Sequence, residues 1–105
     1  MNVEDAEVVL HLHVRVGSEN LLAFKSYIEE AFPVFEAASD CRGMVYACTD
    51  DPECFDEVFY YRHAEDYERA ERMLSEDPRQ RALIERWREL IEGPPRVEVC
   101  RRLAR

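Results

Sequence analysis

No stretch of this chain approaches the ~20 consecutive apolar residues that a membrane-spanning helix requires. The longest apolar runs are strand-sized and broken by His, Arg or Glu, so no membrane partner is expected. The first residues, Met1-Asn2-Val3-Glu4-Asp5, are acidic where a signal peptide is basic, and no apolar signal core follows, which points to a cytoplasmic location. Positive charge is also short: 14 Lys and Arg stand against 23 Asp and Glu, a net charge of -9. Phosphate backbones and anionic lipid would be repelled, which argues against a nucleic-acid partner. The basic C-terminus (Arg96, Arg101, Arg102, Arg105) is short, has no interleaved aromatics and reads as a solvated strand end. Among Cys41, Cys48, Cys54 and Cys100 there is no C-x-x-C pair, and three lie at spacings of seven and six residues. Small reduced thiols are the simplest reading, with a metal site or a redox pair as alternatives. Also missing are G-x-S-x-G, a P-loop, G-x-G-x-x-G and H-E-x-x-H, which leaves esterase, nucleotide-binding and zincin chemistry without support.

What is present fits one domain over residues 1–105: a chain of 105 residues, 47% hydrophobic, can build one core. Val8 to Val16 alternates strictly, with Val8, Leu10, Leu12, Val14 and Val16 on one face and Val9, His11, His13 and Arg15 on the other, and predicts a strand. Gly17-Ser18 ends it. Ser18 is a possible N-cap for a helix with the stripe Leu21, Phe24, Ile28, Ala31 and Phe35, which Pro33 should kink or interrupt. Turn chemistry from Ser39 to Gly43 precedes a second strand over Met44–Thr49, and a third follows over Glu57–Arg62. From Ala64 the period turns helical up to Asp77-Pro78, where a second helical piece opens with Leu83, Ile84, Trp87, Leu90 and Ile91 in its stripe. After Gly93-Pro94-Pro95, Val97, Val99 and Leu103 suggest a last strand. The fold class is therefore α+β, a ferredoxin-like βαββαβ order with a four-stranded antiparallel sheet and the second helix broken in two.

This order, with Arg42-Gly43-Met44-Val45-Tyr46, Asp51-Pro52, Phe59-Tyr60-Tyr61-Arg62 before Glu65-Asp66-Tyr67, and the Asp77-Pro78 break, resembles the dimeric α+β barrel superfamily. Within it the resemblance is to the antibiotic-biosynthesis-monooxygenase type of domain. The resemblance spans Val8 to Leu103 and implies a homodimer. It also implies cofactor-independent oxygenases and haem-degrading enzymes as functional relatives, which resemble one another in using an Asn, a Trp and a His. Here the matching positions look like Leu10, Tyr61 or Arg62, and a helical site near Leu83. An apolar side chain cannot ligate iron, so no haem and no other cofactor is expected.

His11 and His13, two apart on one strand, project to the same side, followed by Arg15. They read first as satisfied interface histidines. Functionally they would suit an imidazole base or two ligands of a metal ion, with Glu57 or His63 guessed as a third. Two His alone make a weak metal motif, and no metal is expected. Tyr61, with Leu10, Leu83 and Trp87, would line an aromatic pocket between sheet and helices, and His11, His13 and Tyr61 are the weak catalytic candidates. Tyr61 and Trp87 read as plain core filling too. The leading functional reading is a small-molecule-binding or non-catalytic domain, possible ligand a small aromatic. The alternative is a cofactor-independent monooxygenase acting on a small aromatic or quinone-like compound.

Overall fold

Strand β1 (Val8–Arg15) alternates in the structure as it does in the sequence: Val8, Leu10 and Val14 are buried and Arg15 is exposed. The computed structural model describes all of residues 1–105, and the order continues α1 (Leu21–Ala38), β2 (Cys41–Ala47), β3 (Cys54–Tyr61), α2 (Ala64–Glu76), α3 (Pro78–Leu90) and β4 (Arg96–Arg101). The sheet runs β2-β3-β1-β4 with every neighbouring pair antiparallel, and the helices cover one face. This is the expected ferredoxin-like α+β arrangement. No helix is long and apolar enough to cross a membrane.

Several boundaries differ from the sequence expectation, each for a local reason. β2 starts at Cys41, not Met44, because Cys41 to Gly43 pair with Tyr61 to Phe59 and so extend the ladder through residues that look like a turn. β3 starts at Cys54, not Glu57, because Cys54, Phe55 and Asp56 pair with Arg15, Val14 and His13. Ser18 does not cap α1 but opens a 3-10 turn over Ser18–Asn20, and the helix begins at Leu21. Pro33 neither breaks nor ends α1. It is exposed, as is Glu29 one turn earlier, whose carbonyl loses a helical donor, so water can satisfy that group. Leu103 lies beyond β4 and is fully in solvent, while Val97 and Val99, opposite Leu12 and Leu10, stay half exposed because the helices stop short of this edge.

The break between α2 and α3 follows the sequence signal closely. The Asp77 side chain accepts from the Arg79 amide at 3.0 Å, and Pro78 takes the first helical position, where its missing N–H leaves no bond unmade. The core lies between helices and sheet. Phe24, Tyr27, Ala31 and Phe32 of α1 are all nearly or fully buried against β1 and β3, each large side chain contributing roughly 1.5–3 kcal/mol of apolar burial. Phe32 packs on Phe59 with ring centroids 4.7 Å apart, and Phe35 meets Phe59 edge-on at 6.0 Å.

Those two rings fix the residue opposite Phe59. A Cβ at Gly43 would sit 2.7 Å from Phe32 Cδ2 and 2.8 Å from Phe59 Cε1, so α1 approaches the sheet over bare backbone. Gly43→Ala should therefore destabilise by roughly 1–3 kcal/mol, against the gain Ala normally brings to a strand. Urea unfolding checks this, and an unchanged or raised midpoint would contradict the close packing.

Candidate functional site

The pleat of β3 sends Phe55, Glu57, Phe59 and Tyr61 toward the helices, and all four are buried. Three are aromatic; the fourth is a carboxylate. Glu57 is 2% exposed, opposite Leu12 of β1 and Val45 of β2. Its Oε2 accepts a hydrogen bond from the indole Nε1 of Trp87 on α3 at 2.5 Å. Burial pushes the Glu57 carboxyl from 4.5 up to about 7; the Trp87 bond opposes this rise and the nearby Asp56 charge adds to it.

Glu57 borders a cavity of about 60 Å³ between the sheet and all three helices, with 11 hydrophobic residues among the 14 in its wall. Leu10, Leu12, Phe59 and Tyr61 form the sheet side, and Tyr27 and Trp87 close it from the helices. Gln80, at the start of α3 and 2% exposed, supplies a buried amide to the same wall. Tyr27 and Tyr61 are held protonated by burial, which raises both phenols far above their ordinary range. The Glu57 charge adds to the effect at Tyr27. In this apolar space Glu57 is the one side chain with a proton equilibrium near neutral pH, so the arrangement can accept a proton from a buried guest or give one back.

The structure sorts the sequence candidates into two places. Leu10, Tyr61 and Trp87 line the cavity. Leu83 is buried in the core cluster beside it without lining it, and offers iron no ligand. His11 and His13 lie on the opposite face of the sheet, so neither imidazole can share the cavity with Tyr61. They cluster instead with Asp56: His11 Nδ1 is 3.0 Å from Asp56 Oδ2. The two residues guessed as a third metal ligand lie elsewhere. Glu57 faces the helices, and His63 precedes α2, 3.3 Å from Glu7. Cys48 and Cys54 meet across the β2–β3 ends with their sulfurs 2.6 Å apart, while Cys41 is buried in the core, its thiol pushed up to about 12. Sequence reasoning missed Glu57 as a cavity residue. The signal was the alternation Phe55, Glu57, Phe59, Tyr61, hidden by starting the strand at Glu57.

No protein-family model and no curated protein matches the sequence. Solved structures do. A conserved protein from Methanosarcina mazei is 11% identical over 94% of this chain and 95% of its own, with a TM-score of 0.78. SnoaB, a cofactor-independent oxygenase from Streptomyces nogalater, is 13% identical over 95% and 96%, TM-score 0.78. A candidate antibiotic biosynthesis monooxygenase from Nitrosomonas europaea is 15% identical over 93% and 91%, TM-score 0.76. The chain has the fold of the antibiotic-biosynthesis-monooxygenase domains. At these identities the likeness speaks to fold alone, and what this chain does rests on its own side chains.

Trp87 is the only tryptophan, and its indole touches Glu57. Its emission should therefore titrate with a midpoint of about 7, and Glu57→Gln should abolish the titration. The stability consequence has a definite sign. An acid whose folded pKa is raised stabilises fully below its unfolded value, and that contribution is lost as pH climbs through the folded value. Between pH 4.5 and about 7 the parent should lose roughly 3 kcal/mol that Glu57→Gln retains. Urea melts at the two ends of that window measure the difference, and equal pH dependence in both proteins would contradict a raised carboxyl.

Proposed function

We propose that the cavity binds a small, flat, weakly acidic aromatic molecule of the phenol or quinol class and that Glu57 takes its proton. The observation behind this reading is a single one: a carboxylate with its pKa near 7, held by Trp87, in a mostly apolar cavity beneath the sheet. The apolar wall suits an aromatic body, and the carboxylate suits a phenolic hydrogen. Tyr61 and Trp87 flank the guest, and Leu10 closes the sheet side.

Whether the bound molecule then reacts divides two readings. Leu10 and Tyr61 stand in the cavity wall at the positions where the resemblance places an Asn and a Trp, which favours binding without turnover. The Glu57 pKa, poised for proton removal at neutral pH, favours cofactor-independent oxygenation. In that reaction an activated CH2 of the substrate loses two hydrogens to dioxygen, gains a carbonyl oxygen and releases one water. SnoaB, named as such an oxygenase, shares this fold. The test is oxygen uptake with a panel of quinols and anthrones beside Trp87 quenching by the same compounds. Saturable quenching that Glu57→Gln weakens supports the binding reading, and no quenching by any of them sinks it. Oxygen uptake above buffer that disappears in Glu57→Gln supports the oxygenase, and none with any compound ends that reading for this substrate class.

The second sheet face carries the partner reading. Met44 and Tyr46 are exposed there beside half-buried Tyr60 and Val9, and no helix covers them. A half-apolar face of this kind is costly to leave in water, and a second copy related by a two-fold axis is its simplest cover, as the dimeric α+β barrel resemblance implies. Light scattering on a sizing column should give roughly twice the 12.4 kDa chain mass. A clean monomer at tens of micromolar would overturn the homodimer.

A further inference from the structure

On the sheet face away from the helices, the antiparallel register sets His13 directly opposite Asp56 of β3 and His11 directly opposite Glu98 of β4. Directly paired residues share a face, so two imidazoles are flanked by one carboxylate from each neighbouring strand. The rings lie parallel, 5.9 Å apart. A ring nitrogen of each histidine and a carboxylate oxygen of Asp56 lie within 4.8 Å of one another. We propose that His11, His13 and Asp56 form a binding site for one divalent transition-metal ion, with Glu98 orienting His13 from behind.

Two observations beyond the clustering point to a ligand. The first is Asp56 Oδ1, which is buried without a hydrogen-bond partner and is the only such side-chain atom in the protein. Buried polar atoms are nearly always satisfied, and an orphan of this kind marks a missing ion, proton or water. His13 Nδ1 stands 3.6 Å from it, too far for a hydrogen bond between them. The second is Glu98, whose Oε1 lies 3.4 Å from His13 Nε2. His13 thus stands between two carboxylates, one at each ring nitrogen. With Nε2–H donating to Glu98, a cation held between Nδ1 and Asp56 Oδ1 would satisfy both lone pairs. Metal-bound histidines commonly carry such a carboxylate on the far nitrogen.

The donor set narrows the ion. Two imidazoles and one carboxylate suit zinc, nickel, cobalt or iron(II), whereas magnesium and calcium prefer all-oxygen ligands. Three protein ligands leave coordination positions open. In the single chain the side chains of His11, His13 and Asp56 are 28%, 25% and 23% exposed. The site is separated from Glu57 by the sheet, and it stands or falls independently of the cavity reading.

Cys54 lies next to Asp56 on the same face and, with Cys48, is the competing soft-metal site. Cobalt(II) distinguishes them, because thiolate ligation produces an intense near-ultraviolet charge-transfer band and imidazole–carboxylate ligation does not. The full chain, stripped with chelator and titrated with cobalt(II) and zinc(II) at neutral pH, should bind one ion without that band. His13→Gln and Asp56→Asn should each lower affinity at least tenfold, and Glu98→Gln by roughly 10- to 100-fold as an orienting residue. Glu98 is exposed on the edge strand, so its variant reports on the site without endangering the fold. Cys48→Ser should leave binding unchanged. No retained ion, affinity unmoved by His13→Gln and Glu98→Gln, or a thiolate band that Cys48→Ser removes would each overturn the proposal.

Discussion

Successive side chains of a β-strand point to opposite sides, and in this protein the helices cover only one of those sides. Everything of chemical interest follows from that constraint acting on β3, the strand between β2 and β1. Asp56 and Glu57 are neighbours in the chain and ends of different stories. Glu57 turns inward to an aromatic cavity and the indole of Trp87, and Asp56 turns outward to two histidines. A shift of one residue in the β3 register would exchange them, turning Asp56 toward the core and Glu57 toward the histidines. The packing of Phe32 and Phe59 over Gly43 guards that register, because no other position on β2 leaves the same room.

The inner site is costly to fold and for that reason informative. A carboxylate with one indole donor in an apolar wall destabilises the protein once it ionises, and a Leu there would pack without that penalty. The neighbouring groups do little to relieve it. Tyr27 and Tyr61 stay protonated, and Arg86 stacks over the Tyr27 ring at 5.5 Å and pairs with Glu30 in solvent. Glu57 is thus left with a proton affinity set by burial, which is how a fold of common type acquires an acid–base group at neutral pH.

The outer face is polar toward the β3–β1–β4 side and apolar toward β2. Arg15 pairs with Asp51 and Glu53, pinning the loop between β2 and β3. His11, His13, Asp56 and Glu98 lie further along the same face, and Tyr46 meets Tyr60 through their hydroxyls at 3.2 Å toward the β2 edge. The two areas adjoin, with Tyr46 directly opposite Asp56 and Val58 directly opposite His11, so a second copy seated on the apolar area would also meet the nitrogen–oxygen cluster.

Element order, the helix break at Asp77-Pro78 and the inward stripe of β1 were all determined by local sequence, because capping, proline geometry and period-two alternation act over a few residues. The pairing of His11 and His13 on one side was equally fixed by their spacing. Their partners were not. Asp56 lies 43 residues from His13 and Glu98 85 residues away, and only the ladder register makes them neighbours. Likewise the meeting of Glu57 with Trp87, 30 residues apart, depends on how α3 docks over the sheet, a long-range packing result that no local pattern encodes. Pro33 marks the reverse case: its local preference against helix interiors was overruled because the exposed side of α1 lets water replace the lost bond. The sequence by itself settled which side chains share a strand face; the tertiary structure decided which faces meet, because register and docking are set by the summed burial of the whole core.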